Sequence, residues 1–257
     1  MKEKLKITFL GTGTSLGVPE IGCDCEVCTS TDVKNKRLRP SVLVESKEIS
    51  ILIDTTPDLR IQALKYKVNK INAILYTHQH ADHIFGLDDI RRFNYIQKSS
   101  IPCYGNEKTI KVIMNSFSYI LKNDKRFEYF LPKIDFHTIN NKFHIGDIEI
   151  IPVEVLHGGL SILGFRIGNF AYLTDCNKIP ESSRKILSGL ELLVLDALRK
   201  KPHIAHFNLS EAVVEARLIA ADKTFFTHIS HDLEHNTINK QLPENIKLAY
   251  DGLVVEL

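Results

Sequence analysis

The sequence predicts a mixed α/β fold, with many strands and covering helices in one domain spanning residues 1–257. Three observations predict it. Short runs rich in Val, Ile, Leu, Phe and Tyr recur along the chain. They alternate with stretches of helical periodicity. The composition, 44% hydrophobic and 25% charged with a mean hydropathy of −0.08, is that of an ordinary globular protein. It argues against disorder, collagen-like repeats and coiled coil.

The first run is Leu5–Leu10. It follows a charged start, but it is too short for a signal-peptide core. No apolar run reaches the length of a membrane span, ~18 residues or more. A cytoplasmic location and no membrane partner are therefore expected. Ser41–Ser46 and Ile49–Thr55 read as the next strands. Pro57–Lys67 reads as a helix, with Pro57 in the first turn, where a missing N–H is tolerated. Ala73–Thr77 and Ile101–Tyr104 are strands, and Asn106–Leu121 is a helix. Ile148–Leu156, Ile162–Ile167, Phe170–Thr174 and Leu192–Leu195 are strands. In Ser210–Ala221, Ala212, Val213, Ala216, Ile219 and Ala220 repeat at helical spacing, and Ser210 reads as the N-cap. Thr224–Thr227 and Leu253–Leu257 close the list of strands.

The 33 basic and 31 acidic side chains leave a net charge of +2, so nothing forces non-specific binding to nucleic acid or an anionic membrane. The chemistry concentrates elsewhere. There are eleven histidines, and three of the five cysteines fall within six residues. Thr77-His78-Gln79-His80-Ala81-Asp82-His83 follows the apolar run Ala73-Ile74-Leu75-Tyr76. Three imidazoles and a carboxylate at a strand end cannot all be buried without partners, and divalent metal satisfies them together. In a tight turn His78 and His80 can reach one ion while Asp82 and His83 reach a second. Four more polar residues end apolar runs: Asp54, His157, Asp175 and His228. Beside the cluster, they point to convergence on one edge of a sheet.

His-x-His-x-Asp-His, preceded by a strand-end Asp and followed by a lone His, an Asp and another His, resembles the metallo-β-lactamase superfamily from Leu5 to Leu257. The resemblance implies an αββα four-layer sandwich with a two-metal site on its edge. His78, His80 and His157 would hold one ion. Asp82, His83 and His228 would hold the other, with Asp175 bridging. Asp54 would orient the histidine loop. His/Asp sites accept Mn²⁺, Zn²⁺ or Fe.

Cys23-Asp24-Cys25-Glu26-Val27-Cys28 lies in a loop at residues 22–29. In a reducing compartment three thiolates supply three ligands of a tetrahedral structural zinc. His231, Cys103, Cys176 and His235 compete for the fourth place. Together with Gly11-Thr12-Gly13-Thr14-Ser15 and Gly17-Val18-Pro19, the cysteine pattern is similar to the PhnP group, phosphodiesterases that hydrolyse 5-phosphoribosyl 1,2-cyclic phosphate. That resemblance implies Cys23, Cys25, Cys28 and His231 as the zinc ligands, and a homodimer. The flanking motifs, Thr174-Asp175-Cys176-Asn177 among them, recur in relatives outside any phosphonate pathway.

Two adjacent divalent ions make a bridging hydroxide and stabilise an in-line displacement at phosphorus, so no Ser or Cys nucleophile is needed. The leaving alkoxide still needs a proton. His206, just before the Ser210 helix, is the candidate donor and substrate contact, with His203 second. Asp82 is the other catalytic candidate. Arg91, and less so Arg92, could hold a substrate phosphate. Gly11-Thr12-Gly13-Thr14 reads as a tight turn near the site. His137 and His144 read as structural, and Cys176 as a neighbour of the metal residues.

The expected function is hydrolysis of a small cyclic or ribose-linked phosphodiester. A tRNA 3′-processing nuclease is the alternative. Such enzymes carry a basic arm between the third-motif His and the fourth-motif Asp, whereas 17 residues and two strands separate His157 from Asp175 here. A PqqB-like relative shares the cysteine loop. The cysteine loop and His206 argue against a β-lactamase or a glyoxalase.

Overall fold

The computed structural model describes residues 4–121 and 131–257; Met1, Lys2 and Glu3 of the charged start lie outside them. The strands are β1 (Lys6–Gly11), β2 (Ser41–Glu45), β3 (Ser50–Ile53), β4 (Ala73–Leu75), β5 (Ile101–Gly105), β6 (Ile134–Thr138), β7 (Phe143–Ile145), β8 (Ile148–His157), β9 (Leu160–Ile167), β10 (Phe170–Leu173), β11 (Leu192–Asp196), β12 (Lys223–Thr227), β13 (Ile246–Leu248) and β14 (Val254–Glu256). The helices are α1 (Glu26–Thr29), α2 (Leu59–Lys65), α3 (Ala81–Ile84), α4 (Ile90–Gln97), α5 (Glu107–Ser116), α6 (Glu181–Ile186), α7 (Leu209–Ile219) and α8 (His235–Gln241).

The strands form two seven-stranded sheets, ordered β14-β1-β2-β3-β4-β5-β6 and β13-β12-β11-β10-β9-β8-β7. Each sheet is antiparallel in part and parallel in part. In the first, β2–β3 is antiparallel and β3–β4 parallel. In the second, β9–β10 is antiparallel and β10–β11 parallel. The inner faces meet in one apolar layer that joins Ile7, Phe9, Val44 and Ile53 to Phe165, Phe170, Tyr172 and Val194. A second layer packs the outer face of the first sheet, with Leu52 and Ile74, against Leu59, Ile84, Phe93 and Ile113 of its helices. A third packs Leu173, Leu193 and Leu195 against Leu187, Ala212, Ala216 and Ile238. Helix, sheet, sheet and helix make the expected αββα sandwich. Strands β1–β4, β10 and β11 are buried on both faces, which explains why their runs are nearly continuously apolar, whereas β5 and β8 alternate. Each fully buried Leu, Ile or Phe contributes about 1.5–3 kcal/mol through loss of water contact.

Local sequence sets the element ends. Helix α7 is capped by Asn208 and not by Ser210. Asn208 Oδ1 accepts from Ser210 N (2.9 Å) and Glu211 N (3.0 Å), and Glu211 Oε2 accepts from Asn208 N (2.9 Å). This reciprocal pair satisfies N–H groups that the first turn leaves orphaned. The predicted helix at Pro57–Lys67 is shorter in the fold, starting at Leu59. Helix α5 ends at Ser116 and gives way to a 3₁₀ turn over Ser118–Leu121. Strands β6, β7 and β13 and helices α6 and α8 are short and weakly patterned, and apolar periodicity alone does not reveal them; α4 is amphipathic, with Ile90 and Phe93 turned to the core, and follows the histidine motif too closely to stand out as a separate element. No helix among the described residues is long and apolar enough to cross a membrane.

The short helix α3 is clamped to the end of β3. Thr55 N donates to His83 O (2.8 Å), and Gly86 N donates to Thr55 O (2.9 Å). Gly86 approaches so closely that a Cβ there would collide with the Thr56 carbonyl oxygen. Gly86→Ala is therefore expected to destabilise the protein by about 1–3 kcal/mol, the usual cost of overpacking against a backbone that cannot yield. Urea unfolding monitored by circular dichroism would show this; an unchanged midpoint would contradict the close approach.

Candidate functional site

The polar residues that end apolar runs converge as expected, at the carboxyl ends of β3, β4, β8, β10 and β12, on one edge of the sandwich. This is also where each sheet changes from antiparallel to parallel, at β3 in one and β10 in the other. The backbone is strained there. Asp54, Asp175 and His228 all have positive φ (64°, 55° and 59°). Non-glycine residues adopt this conformation only when the surroundings over-determine it, and such positions cluster at functional sites.

Asp54, wholly buried, organises the histidine loop. Its Oδ1 accepts from Thr77 N (2.8 Å), and its Oδ2 accepts from Thr77 Oγ1 (2.8 Å) and faces His83 Nδ1 (2.8 Å). Since the Thr77 hydroxyl donates to Asp54, it can accept from His78 Nδ1 (3.1 Å). Both imidazoles therefore donate from Nδ1 and turn Nε2 into the site. His157 Nδ1 likewise donates to the Ala205 carbonyl (2.9 Å).

The ligand atoms form two groups. Those of His78, His80 and His157 lie within 4.8 Å of one another, as do those of Asp82, His83, Asp175 and His228. Asp175 joins the two: its Oδ2 is 3.2 Å from His83 Nε2, and its Oδ1 is 3.1 Å from His228 Nε2 and 4.0 Å from His78 Nε2. These approaches are not hydrogen bonds throughout. His78 Nε2, Asp82 Oδ2, His83 Nε2 and His228 Nε2 are buried without a hydrogen-bond partner. Orphaned polar atoms of this kind are costly and rare, so several aimed at common points call for cations. Nitrogen and carboxylate donors fit divalent zinc, manganese or iron.

The electrostatics agree. Burial pushes His78 well below the ordinary imidazole pKa, keeping its lone pair free. Burial also opposes charge on His83 and His228, but the buried carboxylates outweigh it. Asp175, Asp82 and Asp54 hold His83 well above its ordinary value, and Asp175 foremost raises His228 to about 10. The same pairing outweighs burial at Asp82 and Asp175 and holds both well below the usual carboxylate range. Positive charge is thus demanded at the centre of this group.

His206, 7% exposed, borders the cluster, its ring 4.7 Å from those of both His157 and His228. Behind it stands a residue that the sequence reading passed over. Asp196 ends β11 and is wholly buried. Its Oδ1 lies 3.3 Å from His206 Nδ1 and 3.7 Å from His228 Nδ1, and its Oδ2 accepts from Phe207 N (3.0 Å). The signal was present, since Asp196 ends the apolar run Leu192–Leu195 as Asp54 and Asp175 end theirs. His203 is half-buried, with its ring 5.0 Å from that of His206. Arg91 is not brought into the cluster. It is exposed, pairs with Asp88 at 3.4 Å, and lines a cleft between α2 and α4 with Arg92. His137 stacks on Tyr104, and Cys176 lies wholly buried in the outer core.

The cysteine loop meets His231 as expected. His231 Nδ1 lies 3.2, 3.6 and 3.5 Å from the sulfurs of Cys23, Cys25 and Cys28. A tetrahedral zinc with Zn–S near ~2.3 Å and Zn–N near ~2.0 Å requires S···N edges of about 3.5 Å, so the donors fit that ion. The rivals lie elsewhere: Cys103 and Cys176 in apolar cores, His235 against Arg37 (3.3 Å). A bond from Cys28 N helps to lower Cys25 to about 7, while burial raises Cys28 to about 11. The glycine turn is the expected neighbour. Thr14 N donates to Ile229 O (3.1 Å) and Ile229 N to Thr12 O (2.9 Å), so it pins the segment between His228 and His231.

The family model for the beta-lactamase superfamily domain matches residues 50–229, and the chain belongs to that superfamily. Within it the chain is PhnP-like: the crystal structure of a diphosphatase from the PhnP family superposes with a TM-score of 0.93 and 47% identity, covering 99% of this chain and 97% of that one. An octanoyltransferase of Porphyromonas gingivalis is 34% identical over 252 residues, 97% of this chain and 51% of the relative. The exodeoxyribonuclease YycJ of Bacillus anthracis is 26% identical over 137 residues, 51% of this chain and 46% of the relative. The chain thus spans about half the length of these two curated relatives.

Asp54→Asn is expected to weaken divalent-metal affinity about 10–100-fold, as loss of an outer carboxylate on a ligating histidine does. Metal titration by calorimetry would measure it; wild-type affinity would show that Asp54 does not set the histidine geometry.

Proposed function

We propose that this chain is a metal-dependent phosphodiesterase acting on a small cyclic or ribose-linked phosphodiester. The observation that carries this reading is the convergence of His78, His80, His157, Asp82, His83, Asp175 and His228, with orphaned Nε2 and carboxylate atoms turned to common centres. A divalent pair held there supplies charge stabilisation at phosphorus and a nucleophilic water at neutral pH. Asp175 stands in the second set and reaches His78 of the first at 4.0 Å, where it would serve both ions, and Asp82 lies beside His83 (3.2 Å) and His228 (3.6 Å).

The remaining step is protonation of the leaving oxygen. His206 donates it from Nε2, while Asp196, 3.3 Å from Nδ1, orients the ring. His206 also falls within 4.8 Å of donor atoms of His157 and Asp175, close enough to touch a phosphate bound at the ligand cluster. Cys23, Cys25, Cys28 and His231 would hold a structural zinc, which would tie the N-terminal loop to the segment carrying His228.

A tRNA 3′-processing nuclease is the less favoured reading. His157 and Asp175 are joined by β9, β10 and tight turns, with no basic arm between them. The acyl-transfer name of the Porphyromonas gingivalis relative belongs to a protein of which this chain matches about half, and paired metal ligands give no reason to carry it over.

With Mn²⁺ or Zn²⁺, the protein is expected to hydrolyse bis(p-nitrophenyl) phosphate and a cyclic ribose phosphate, and to leave pre-tRNA and a β-lactam intact. Efficient cleavage of pre-tRNA without small diesters would reverse the assignment. His206→Ala should lower kcat by about 10²–10⁴-fold with metal content unchanged; retained turnover would remove His206 from the mechanism. Cys25→Ser should cost one zinc per chain and lower the melting temperature more than it alters turnover. An unchanged melting temperature would contradict a structural zinc.

A further inference from the structure

His157 is oriented by the loop that carries His206. Its Nδ1 donates to the Ala205 carbonyl (2.9 Å), so the residue beside His206 fixes which nitrogen of His157 faces the cluster. That loop has little of its own to hold it. Among the described residues no backbone–backbone bond reaches residues 202–206, and Ile204 is 85% exposed. Arg199 ties the start, donating from Nη2 to Pro202 O (2.8 Å), and Phe207 N closes the end on Cys176 O (2.8 Å). Between them stands Asn177, two residues after Asp175. Its Nδ2 donates to Ile204 O (2.8 Å), and its Oδ1 accepts from Gly158 N (3.2 Å), next to His157. Main-chain bonds fix the base of this amide: Asn177 N donates to Leu156 O (2.9 Å), and Leu156 N to Lys178 O (2.9 Å). Gly158, with φ of 56°, lets the turn and the loop approach; a Cβ there would stand 3.1 Å from Ala205 Cβ.

A side-chain amide offers a donor and an acceptor on separate arms, and here one carbonyl and one N–H take both. A loop with few packed side chains opens easily unless such bonds hold it. Opening would carry the Ala205 carbonyl off His157 and His206 off the leaving oxygen. We infer that Asn177 is a positioning residue: it clasps the 202–206 loop to the turn after β8, and so sets His157 for metal and His206 for proton donation together. The part that concerns His206 rests on the phosphodiesterase reading; the part that concerns His157 does not.

Asn177→Ala removes both bonds. Calorimetric titration of this variant with Mn²⁺ should show one ion bound about tenfold more weakly, the low end of the usual loss for an outer partner of a ligating histidine. Wild-type affinity for every ion would overturn the inference. At saturating metal, kcat for a cyclic ribose phosphate, whose alkoxide needs a proton, should fall about 10²-fold, the cost of misplacing a catalytic group by ~1 Å. Turnover of bis(p-nitrophenyl) phosphate, whose phenolate leaves without a proton, should change far less. Equal losses on the two esters would mark a general structural defect and refute the positioning role. Asn177→Asp keeps the size and the Gly158 bond but sets an oxygen against Ile204 O, so it should shift the ratio of the two esters in the same direction; a wild-type ratio would count against the clasp. In a His206→Ala background, Asn177→Ala should cost nothing further on the cyclic ester, and a full additional loss would sever the link to His206. If the wild-type protein cleaves neither ester, the phosphodiesterase reading falls, and the metal titration decides the place of Asn177 alone.

Discussion

The site depends first on a buried carboxylate. Asp54 sits at the end of β3 in a left-handed conformation, and its two oxygens bind the Thr77 N–H, the Thr77 hydroxyl and His83. An unpaired carboxylate in that layer would be expensive. Burial pushes the Asp54 carboxyl up in pKa, and His83 and Thr77 work against that shift. The arrangement ties β3 to β4, fixes the protons of two imidazoles and aims their lone pairs in one direction. Asp196 does related work from the other sheet, facing both His206 and His228.

The two sheets answer this demand in the same way. Each switches from antiparallel to parallel pairing, and each brings strand ends to the ligand cluster. The first contributes the histidine loop and the second contributes His157, Asp175, Asp196 and His228. The apolar layer between the sheets is therefore what sets the distance between the two halves of the site. The glycine turn extends the linkage to the cysteine loop, because Ile229 pairs with Thr12 and Thr14 while its neighbours His228 and His231 face different clusters. A four-residue segment thus links the two clusters.

Much of this was legible in the sequence because candidate metal ligands leave a dense signature. His78, His80, Asp82 and His83 fall within six residues, and Asp54, His157, Asp175 and His228 each interrupt an apolar run. The cysteine spacing was legible for the same reason, and the resemblance singled out His231 among its rivals. Asp196 was missed because a single acidic residue at a strand end is common, and only the meeting with His206 and His228 gives it meaning. The N-cap was misplaced to Ser210 because Ser and Asn both cap well; the reciprocal bonds between Asn208 and Glu211 decide between them. Arg91 looked suited to phosphate from its spacing; in the fold it is exposed, outside the ligand cluster, and pairs with Asp88 one turn earlier.

The sequence by itself determined the class of fold, the chemical type of the site and the identity of its first donors. These are set by apolar patterning and by side chains whose burial has few other solutions. Tertiary structure alone decided which nitrogen of each imidazole faces inward, which carboxylates back the histidines, and that the Asn177 amide spans from Gly158 to Ile204. These outcomes depend on contacts between residues far apart in the chain, and no local periodicity carries that information.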